Sequence, residues 1–428
     1  MKLFPHQKQA LQATSGQNRV AYYLDMGLGK TFVGSEKMHE LDADVNLVIC
    51  QKSKIDDWFE HFETYYSNQG YIFNNLTNKK EFEYFIDVTS QGQAKIVGFI
   101  NYELAWRRKE LLKLENFTLM LDESSLIQNR KAKQSKFILK LKPQNVILLS
   151  GTPCSGKYEN LWSQIHLLGW EIKESLYNKQ YVNWKTIEVG EFKHKIVDKE
   201  KPYKNVDRLK AKLRRYGAVF MKTDECFDLP QQNVIDIYCK APREYKRFVK
   251  DSIVTIGDKE LVGDTTLTKR LYERMIASQY NDNKFQSFYD LVESTNDRLI
   301  VFYNFNEELE PMVNMMYDES FKRPFSIVNG KTKDLRAYEE WDNSVTFVQY
   351  QAGAKGLNLQ KANKIIYFSP TEKCEDYMQS LKRIHRIGQE KPCFYYRLIT
   401  KNTIEKDIYK AVESGVDYTD ELFKEKRK

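Results

Sequence analysis

Cysteine is scarce and unpatterned in this sequence. Six occur in 428 residues, at Cys50, Cys154, Cys226, Cys239, Cys374 and Cys393, and no two form a C-x-x-C pair. Neither a zinc ribbon nor a disulfide framework is indicated, and a reducing cytoplasm fits best. No apolar run reaches the roughly 18 residues of a membrane span. The opening "MKLFPHQKQA" turns polar at once and does not read as a secretory leader. Glycine and proline are modest, at 19 and 10, so long disorder is not expected. Repeats and low-complexity tracts are absent, and the six histidines suggest no metal cluster. Acidic charge does not dominate: 67 Lys and Arg face 59 Asp and Glu, a net +8. A basic balance favours a polyanionic partner such as nucleic acid.

What is present is enough chain and apolar material for two cores. Two domains of about 150–200 residues are the expectation for this length. The tyrosines and phenylalanines read mainly as core, not as a platform for stacking single strands.

The stretch "YYLDMGLGKT", Tyr22–Thr31, approximates the phosphate-binding pattern G-x-x-x-x-G-K-[ST]. Leu24 stands at the first glycine position. The cradle needs exposed backbone N–H groups at a helix N-terminus. Gly27 and Gly29 free that backbone, Lys30 supplies charge, and Thr31 supplies a hydroxyl for a metal ion. Short apolar runs follow: "NLVICQ" (46–51), "AKIVGFI" (94–100), "FTLMLDES" (117–124) and "NVILLSGT" (145–152). Helix-like stretches separate them, which predicts an α/β sheet with ligands at the C-terminal strand ends. Asp122 and Glu123 end one of these strands; Ser150, Gly151 and Thr152 end another. A strand ending in an acid can hold Mg²⁺ beside such a loop, and the second acid can take a proton from an attacking water.

In this order the motifs resemble the superfamily-two helicases, and within them the Swi/Snf-type DNA translocases, from about Leu3 to Tyr409. The similar segments are "LFPHQKQAL", "DMGLGKT", "VICQKSKIDDWFEHF", "IVGFINYEL", "LDESSLIQN" and "LLSGTPCSGKYENLWSQIHLLG" in the first half. In the second half they are "RLIVFYNF", "FSIVNGKTK", "VQYQAGAKGLNLQKANKIIYFSP" and "QSLKRIHRIGQEKPCFYYRLITKNTIEKDIY". The pair "KGLNL" and "HRIGQ" is specific to this family.

The resemblance implies two RecA-like lobes with parallel sheets, an ATP cleft between them and a small, mostly helical insertion. It places the first lobe at 1–169, a basic helical protrusion and linker at 170–296, and the second lobe at 297–428. ATP and Mg²⁺ are the implied cofactors, and duplex or branched DNA, bound without sequence specificity, the implied partner. Lys30, Asp122, Glu123, Arg383 and Arg386 become the catalytic set. Thr31 and Asp122 would hold the metal, with Gln7, Met26, Gly27, Leu28, Gly29, Lys30, Thr31 and Gly356 around the nucleotide. Gln7 would read the adenine edge. Arg383 and Arg386, three apart, would share one face of a turn and act as arginine fingers. Ser150, Thr152 and Gln379 would couple ATP to nucleic acid. Lys52, Ser53, Tyr102, Asn304, Gly330, Lys331, Ala352 and Gly353 would contact the DNA backbone.

Three positions depart from the family pattern. Ser125 replaces a histidine that often links the acid motif to the strand ending in Ser150. Lys382 stands where Asp or Gly usually precedes the arginine, and Gln351 where an arginine is common. The chain stops soon after "HRIGQ", as expected of a bare monomeric motor of a phage or mobile element. Residues 193–215 hold ten Lys or Arg against three Asp or Glu, a local +7. That segment reads either as a grip on DNA phosphates or as a solvated face of snorkelling lysines. An RNA-dependent ATPase and a nucleic-acid clamp without a working ATPase are the competing functions.

Overall fold

The computed structural model describes residues 2–92, 94–189, 192–317, 322–353 and 357–423. The chain divides into two compact units, Met1–Cys226 with Asp417–Lys428, and Phe227–Val416. This division at 226/227 differs from the expected bounds at 169/170 and 296/297. The strand Ala218–Met221 pairs with Arg19–Leu24, which ties 170–226 to the first unit.

The strands of the first unit are β1 (Arg19–Leu24), β2 (Val45–Cys50), β3 (Tyr71–Asn75), β4 (Lys95–Asn101), β5 (Phe117–Asp122) and β6 (Asn145–Leu149), then β7 (Trp184–Val189), β8 (Phe192–Val197) and β9 (Ala218–Met221). Seven of them form one sheet in the order β3-β4-β2-β5-β6-β1-β9. Every pairing in it is parallel. Parallel sheets are covered on both faces, so their strands read as unbroken apolar runs rather than alternations. β2 is buried at all six positions. The remaining two strands, β7 and β8, form a separate antiparallel hairpin.

Helices α1 (Pro5–Ala13), α2 (Lys30–Leu41) and α3 (Ile55–Tyr66) carry most of the motifs at issue. α2 lies tight on the sheet at Gly34. A Cβ there would meet Leu149 Cδ1 at 2.8 Å and Met120 Sδ at 2.9 Å. That close approach fixes the phosphate loop above the ends of β5 and β6.

The second unit contains β10 (Gln232–Cys239), β11 (Ile253–Ile256), β12 (Lys259–Val262), β13 (Leu299–Tyr303), β14 (Phe325–Val328), β15 (Lys333–Asp334), β16 (Val345–Gln349), β17 (Lys364–Tyr367) and β18 (Cys393–Thr400). Its sheet runs β10-β18-β17-β13-β16-β14-β15, parallel except for the last pair. Alternation along β13 builds both faces: Ile300 and Phe302 enter one core, Leu299, Val301 and Tyr303 the other. Each such side chain contributes roughly 1.5–3 kcal/mol on burial. The antiparallel pair β11–β12 lies outside this sheet, against a small core of its own that includes Phe248 and Ile276. Residues 170–296 thus carry two hairpins beside their helices.

Candidate active site

The phosphate loop connects β1 to α2. Gly29 caps α2 in the left-handed region, φ 72°, and Gly27 has φ 87°. The backbone turn therefore needs glycine at both positions. Leu24, at the place of the missing glycine, is the buried last residue of β1, and its carbonyl accepts Lys30 Nζ at 2.9 Å. Asp25 fastens the loop. Its Oδ1 accepts Met26 N at 2.8 Å and its Oδ2 accepts the Thr223 hydroxyl at 3.0 Å. Sequence reasoning missed this pair, 198 residues apart, although the D of "DMGLGKT" is its one visible trace.

α1 braces the same loop. Gln7 Nε2 donates to Leu28 O at 3.2 Å, and its Oε1 accepts Phe4 N at 2.9 Å. A His6 ring nitrogen sits 3.0 Å from the same Leu28 carbonyl. A Cβ on Gly29 would stand 2.2 Å from Gln7 Nε2, so a side chain there would displace the Gln7 amide from the loop. In this structure Gln7 holds the loop rather than presenting its amide outward.

Asp122 ends β5 half-buried. Burial pushes its pKa up from the ordinary value. The Trp58 indole, donating to Oδ2 at 2.9 Å, and then the Lys30 charge oppose that rise. Glu123 follows with φ 56°, a conformation that costs a non-glycine residue on the order of 1–3 kcal/mol. Its carboxyl is also raised by burial, against Lys30 and the Ser150 hydroxyl. Ser150 Oγ donates to Glu123 Oε1 at 2.6 Å, and Ser125 Oγ donates to the same oxygen at 2.9 Å. The link expected to weaken at Ser125 is thus made through the glutamate itself. Thr152 N donates to Ser150 Oγ at 3.1 Å, while the buried Thr152 hydroxyl has no hydrogen-bond partner among the described residues.

Gln164 completes this network and was not singled out from the sequence. Its Oε1 accepts the hydroxyls of Ser124 at 2.8 Å and Tyr23 at 3.0 Å, and its Nε2 donates to Pro153 O. One amide therefore joins β1, the acid motif and the segment after β6.

The residues present suit Mg²⁺. Asp122 and the Thr31 hydroxyl are hard oxygen donors, one oxygen of Asp122 is already oriented by Trp58, and two adjacent half-buried acids are relieved by a cation. Lys30 is close enough to shift both acids.

Tyr102 needs a correction. It is 1% exposed, and its hydroxyl donates to Asp122 O at 2.9 Å. It holds the acid motif from behind and is not available to DNA. Lys52 and Ser53 are exposed just past β2.

In the second unit Arg383 and Arg386 lie beyond the helix Cys374–Leu381, in turns and bends. The expected shared helical face is not formed, and the two side chains differ. Arg383 is 2% exposed and donates to Leu357 O at 3.0 Å. Arg386 is half-buried, burial lowers its pKa, and its side chain has no hydrogen bond or ion pair among the described residues. Gln389 donates to the carbonyls of Gln360, Ala362 and Ile384 at 3.1, 2.8 and 3.2 Å. A His385 ring nitrogen lies 2.9 Å from Pro230 O. Gln379 is buried, with Nε2 3.3 Å from Glu375 Oε1. Gly356 lies outside the described residues.

Asn304 is a second correction. Its amide donates to Pro370 O at 2.5 Å and Ser369 Oγ at 3.3 Å, which closes the end of β13 and leaves the side chain engaged within the fold. Gly330 and Lys331 are exposed in the turn after β14, and Ala352 is half-buried in the short helix Tyr350–Gly353 after β16.

No helix among the described residues is long and apolar enough to cross a membrane.

Comparison with known proteins gives a consistent set of likenesses. A family model described as SNF2-related domain matches residues 23–286, and one described as Helicase conserved C-terminal domain matches residues 283–388. The chain is 24% identical over 91% of its length to the mouse SWI/SNF-related matrix-associated actin-dependent regulator of chromatin subfamily A member 1, covering 40% of that protein. It is 22% identical over 93% of its length to the putative ATP-dependent helicase/translocase YwqA of Bacillus subtilis, covering 46% of it. The solved Sulfolobus solfataricus SWI2/SNF2 ATPase core in complex with dsDNA aligns over 96% of this chain and 90% of that one, at 20% identity and a TM-score of 0.45. The chain spans less than half the length of these two curated relatives.

Proposed function

The chain belongs to the SNF2-related family, and on that premise we propose that it hydrolyses ATP, stimulated by DNA, to move on or remodel duplex or branched DNA. The observation that carries this reading is the juxtaposition of Lys30 with two half-buried acids, one oriented by an indole and the other by two hydroxyls.

In this reading the loop N–H groups of 27–31 and Lys30 receive the phosphates. The lysine exchanges its bonds to Leu24 O and Asp25 O for the ligand. Thr31 and Asp122 hold Mg²⁺, which supplies charge neutralisation at the phosphates when bound. Glu123 takes the proton of the attacking water; its raised pKa matches a group that must accept one. The Ser150 hydroxyl reports the state of that carboxylate to the segment that follows β6. Arg386 supplies the finger, with Arg383 keeping the loop around it in place. Lys52, Ser53, Gly330, Lys331, Ala352 and Gly353 remain the proposed backbone contacts, since each sits just past the C-terminal end of a strand.

The test is ATP hydrolysis by wild type and Glu123→Gln at one fixed salt concentration, with no nucleic acid, duplex, single-stranded and forked DNA, and RNA. Stimulation by duplex or fork that vanishes in Glu123→Gln is the expected result. Stimulation by RNA alone would move the protein to the RNA-dependent class. DNA binding with no hydrolysis on any substrate would leave a clamp.

A further inference from the structure

The helix Arg243–Asp251 of the second unit is fixed to the fold along one side. Tyr245 and Phe248 enter the small core with Val254, Leu261, Ile276 and Ala277. The Tyr245 hydroxyl accepts Ile404 N at 2.8 Å. Near the C-terminal end, Lys269 Nζ donates to Val249 O at 3.4 Å and to Ser252 Oγ at 3.3 Å.

The other side is cationic. Arg243, Lys246, Arg247 and Lys250 follow an i, i+3, i+4, i+7 spacing, which gathers them within an arc of about 100° on a helix. All four are exposed, and none of their side chains has an ion pair or hydrogen bond among the described residues. Glu244 and Asp251 flank the arc on one edge and Val249 on the other, so the arc itself holds neither acid nor apolar residue.

Other cations of this unit are matched to acids. Arg270 and Arg274 share Glu372, Lys284 is buried against Glu405, and Arg298 meets Asp342. Lys364 meets Asp297, and Arg397 meets Asp236 and Glu413. On the helix Arg243–Asp251 the like charges stand three and four apart, which is destabilising in a free helix. A bound polyanion removes that cost.

The composition of the arc selects the polyanion. The centre of a protein interface is apolar and poor in lysine, and this arc offers no such centre. A phosphate backbone asks for charge alone and carries no sequence information. The four cations span about 10 Å along the helix. One strand of B-DNA presents a phosphate every ~3.4 Å of axis, so about three phosphates match that length.

We infer that the helix Arg243–Asp251 is a DNA-backbone site, with Arg243, Lys246, Arg247 and Lys250 set against the phosphates of one duplex strand. The inference rests on the DNA-motor reading and adds to it a contact surface outside the strand-end loops.

The test follows duplex binding by fluorescence anisotropy across a salt series, with a labelled polyglutamate titrated in parallel. It compares wild type with Arg243→Gln/Lys246→Gln/Arg247→Gln/Lys250→Gln, with Lys246→Gln/Lys250→Gln, and with the charge-keeping Arg243→Lys/Arg247→Lys. Lys406→Gln/Lys410→Gln, which removes two exposed cations of the helix Ile404–Phe423, controls for net charge. Each phosphate contact contributes about 0.9 to the slope of log K against log salt. The fourfold variant is therefore expected to flatten the slope by about 3 and Lys246→Gln/Lys250→Gln by about 2. The charge-keeping variant and the control keep the wild-type slope. Unchanged slopes in both glutamine variants of the stripe, or an equal loss per charge in the control, overturn the site. A fourfold variant that keeps its DNA slope and loses polyglutamate binding assigns the stripe to an acidic protein and overturns the DNA assignment. Absence of both duplex binding and duplex-stimulated hydrolysis in wild type overturns the motor reading instead, so the two failures are distinguishable.

Discussion

The two units build similar parallel sheets and secure their strand-end chemistry in opposite ways. In the first, the acids are held by side-chain donors: Trp58 on Asp122, Ser125 and Ser150 on Glu123. In the second, cations and amides are held by backbone carbonyls: Leu357 for Arg383, and Gln360, Ala362 and Ile384 for Gln389. The inventory of donors and acceptors explains the contrast. A carboxylate only accepts, and an arginine only donates. In a phosphate-binding unit the loop N–H groups must stay available, so donors for the acids come from other side chains. Where the group to be held is a donor, the surplus carbonyls of a neighbouring loop suffice. The acid site can therefore be dismantled one side chain at a time, whereas the arginine site depends on the path of 357–362.

The largest expected break in this comparison is at Arg386, whose guanidinium has no hydrogen bond or ion pair among the described residues. Arg386→Ala is expected to lower DNA-stimulated ATP hydrolysis by about 10³–10⁵, the worth of an arginine finger, with the unfolding midpoint little changed. Arg383→Ala should instead lower the urea midpoint, because it strips a buried contact to Leu357 O. Equal kinetic losses with equal stability in the two variants would contradict the division into finger and anchor. Glu123→Gln comes next, at about 10²–10⁴ in hydrolysis, with ATP binding retained in an equilibrium titration.

Trp58→Phe sharpens the side-chain half of the contrast. It keeps the aromatic packing and removes one N–H from Asp122. Outer-shell donors of this kind are worth about 10–100-fold in metal affinity, so the Mg²⁺ concentration for half-maximal hydrolysis should rise at least tenfold. The maximal rate at saturating Mg²⁺ should fall far less. An unchanged Mg²⁺ dependence would reduce Trp58 to core packing.

Much of the fold and part of the site were legible in the sequence, for physical reasons that also mark the boundary. β2, β4, β5 and β6 were readable because both faces are buried and apolar runs result. β9 is only four residues long and sits in a basic, polar stretch, so its pairing with β1, which moves the boundary to 226/227, left no local signal. Lys30, Asp122 and Glu123 announce themselves by type and spacing. Their supports do not: Trp58 reaches Asp122 across 64 residues, and Thr223 reaches Asp25 across 198. Tyr102 and Asn304 were misread because a polar tip after a strand looks alike whether it faces solvent or bonds back into the fold.

The smallest predicted effects concern two glutamines that do the same work in different units. Gln389 donates to three carbonyls and is bound on every side, so Gln389→Ala strands acceptors. It should lower stability by about 1–3 kcal/mol, read from urea unfolding. Gln7 makes one bond to Leu28 O and retains an amide proton. Gln7→Ala should cost little stability and raise the KM for ATP by about fivefold, the worth of one hydrogen bond near 1 kcal/mol. Its base dependence separates two roles. A brace acts on the phosphate loop, which ATP and GTP share, so both substrates should lose equally. A reader of the adenine edge would cost ATP alone, because the lost partner is a group that GTP does not offer. Since Gln7 is packed against Gly29 with its oxygen already taken by Phe4 N, equal losses are expected, and a loss confined to ATP would restore the adenine-reading role.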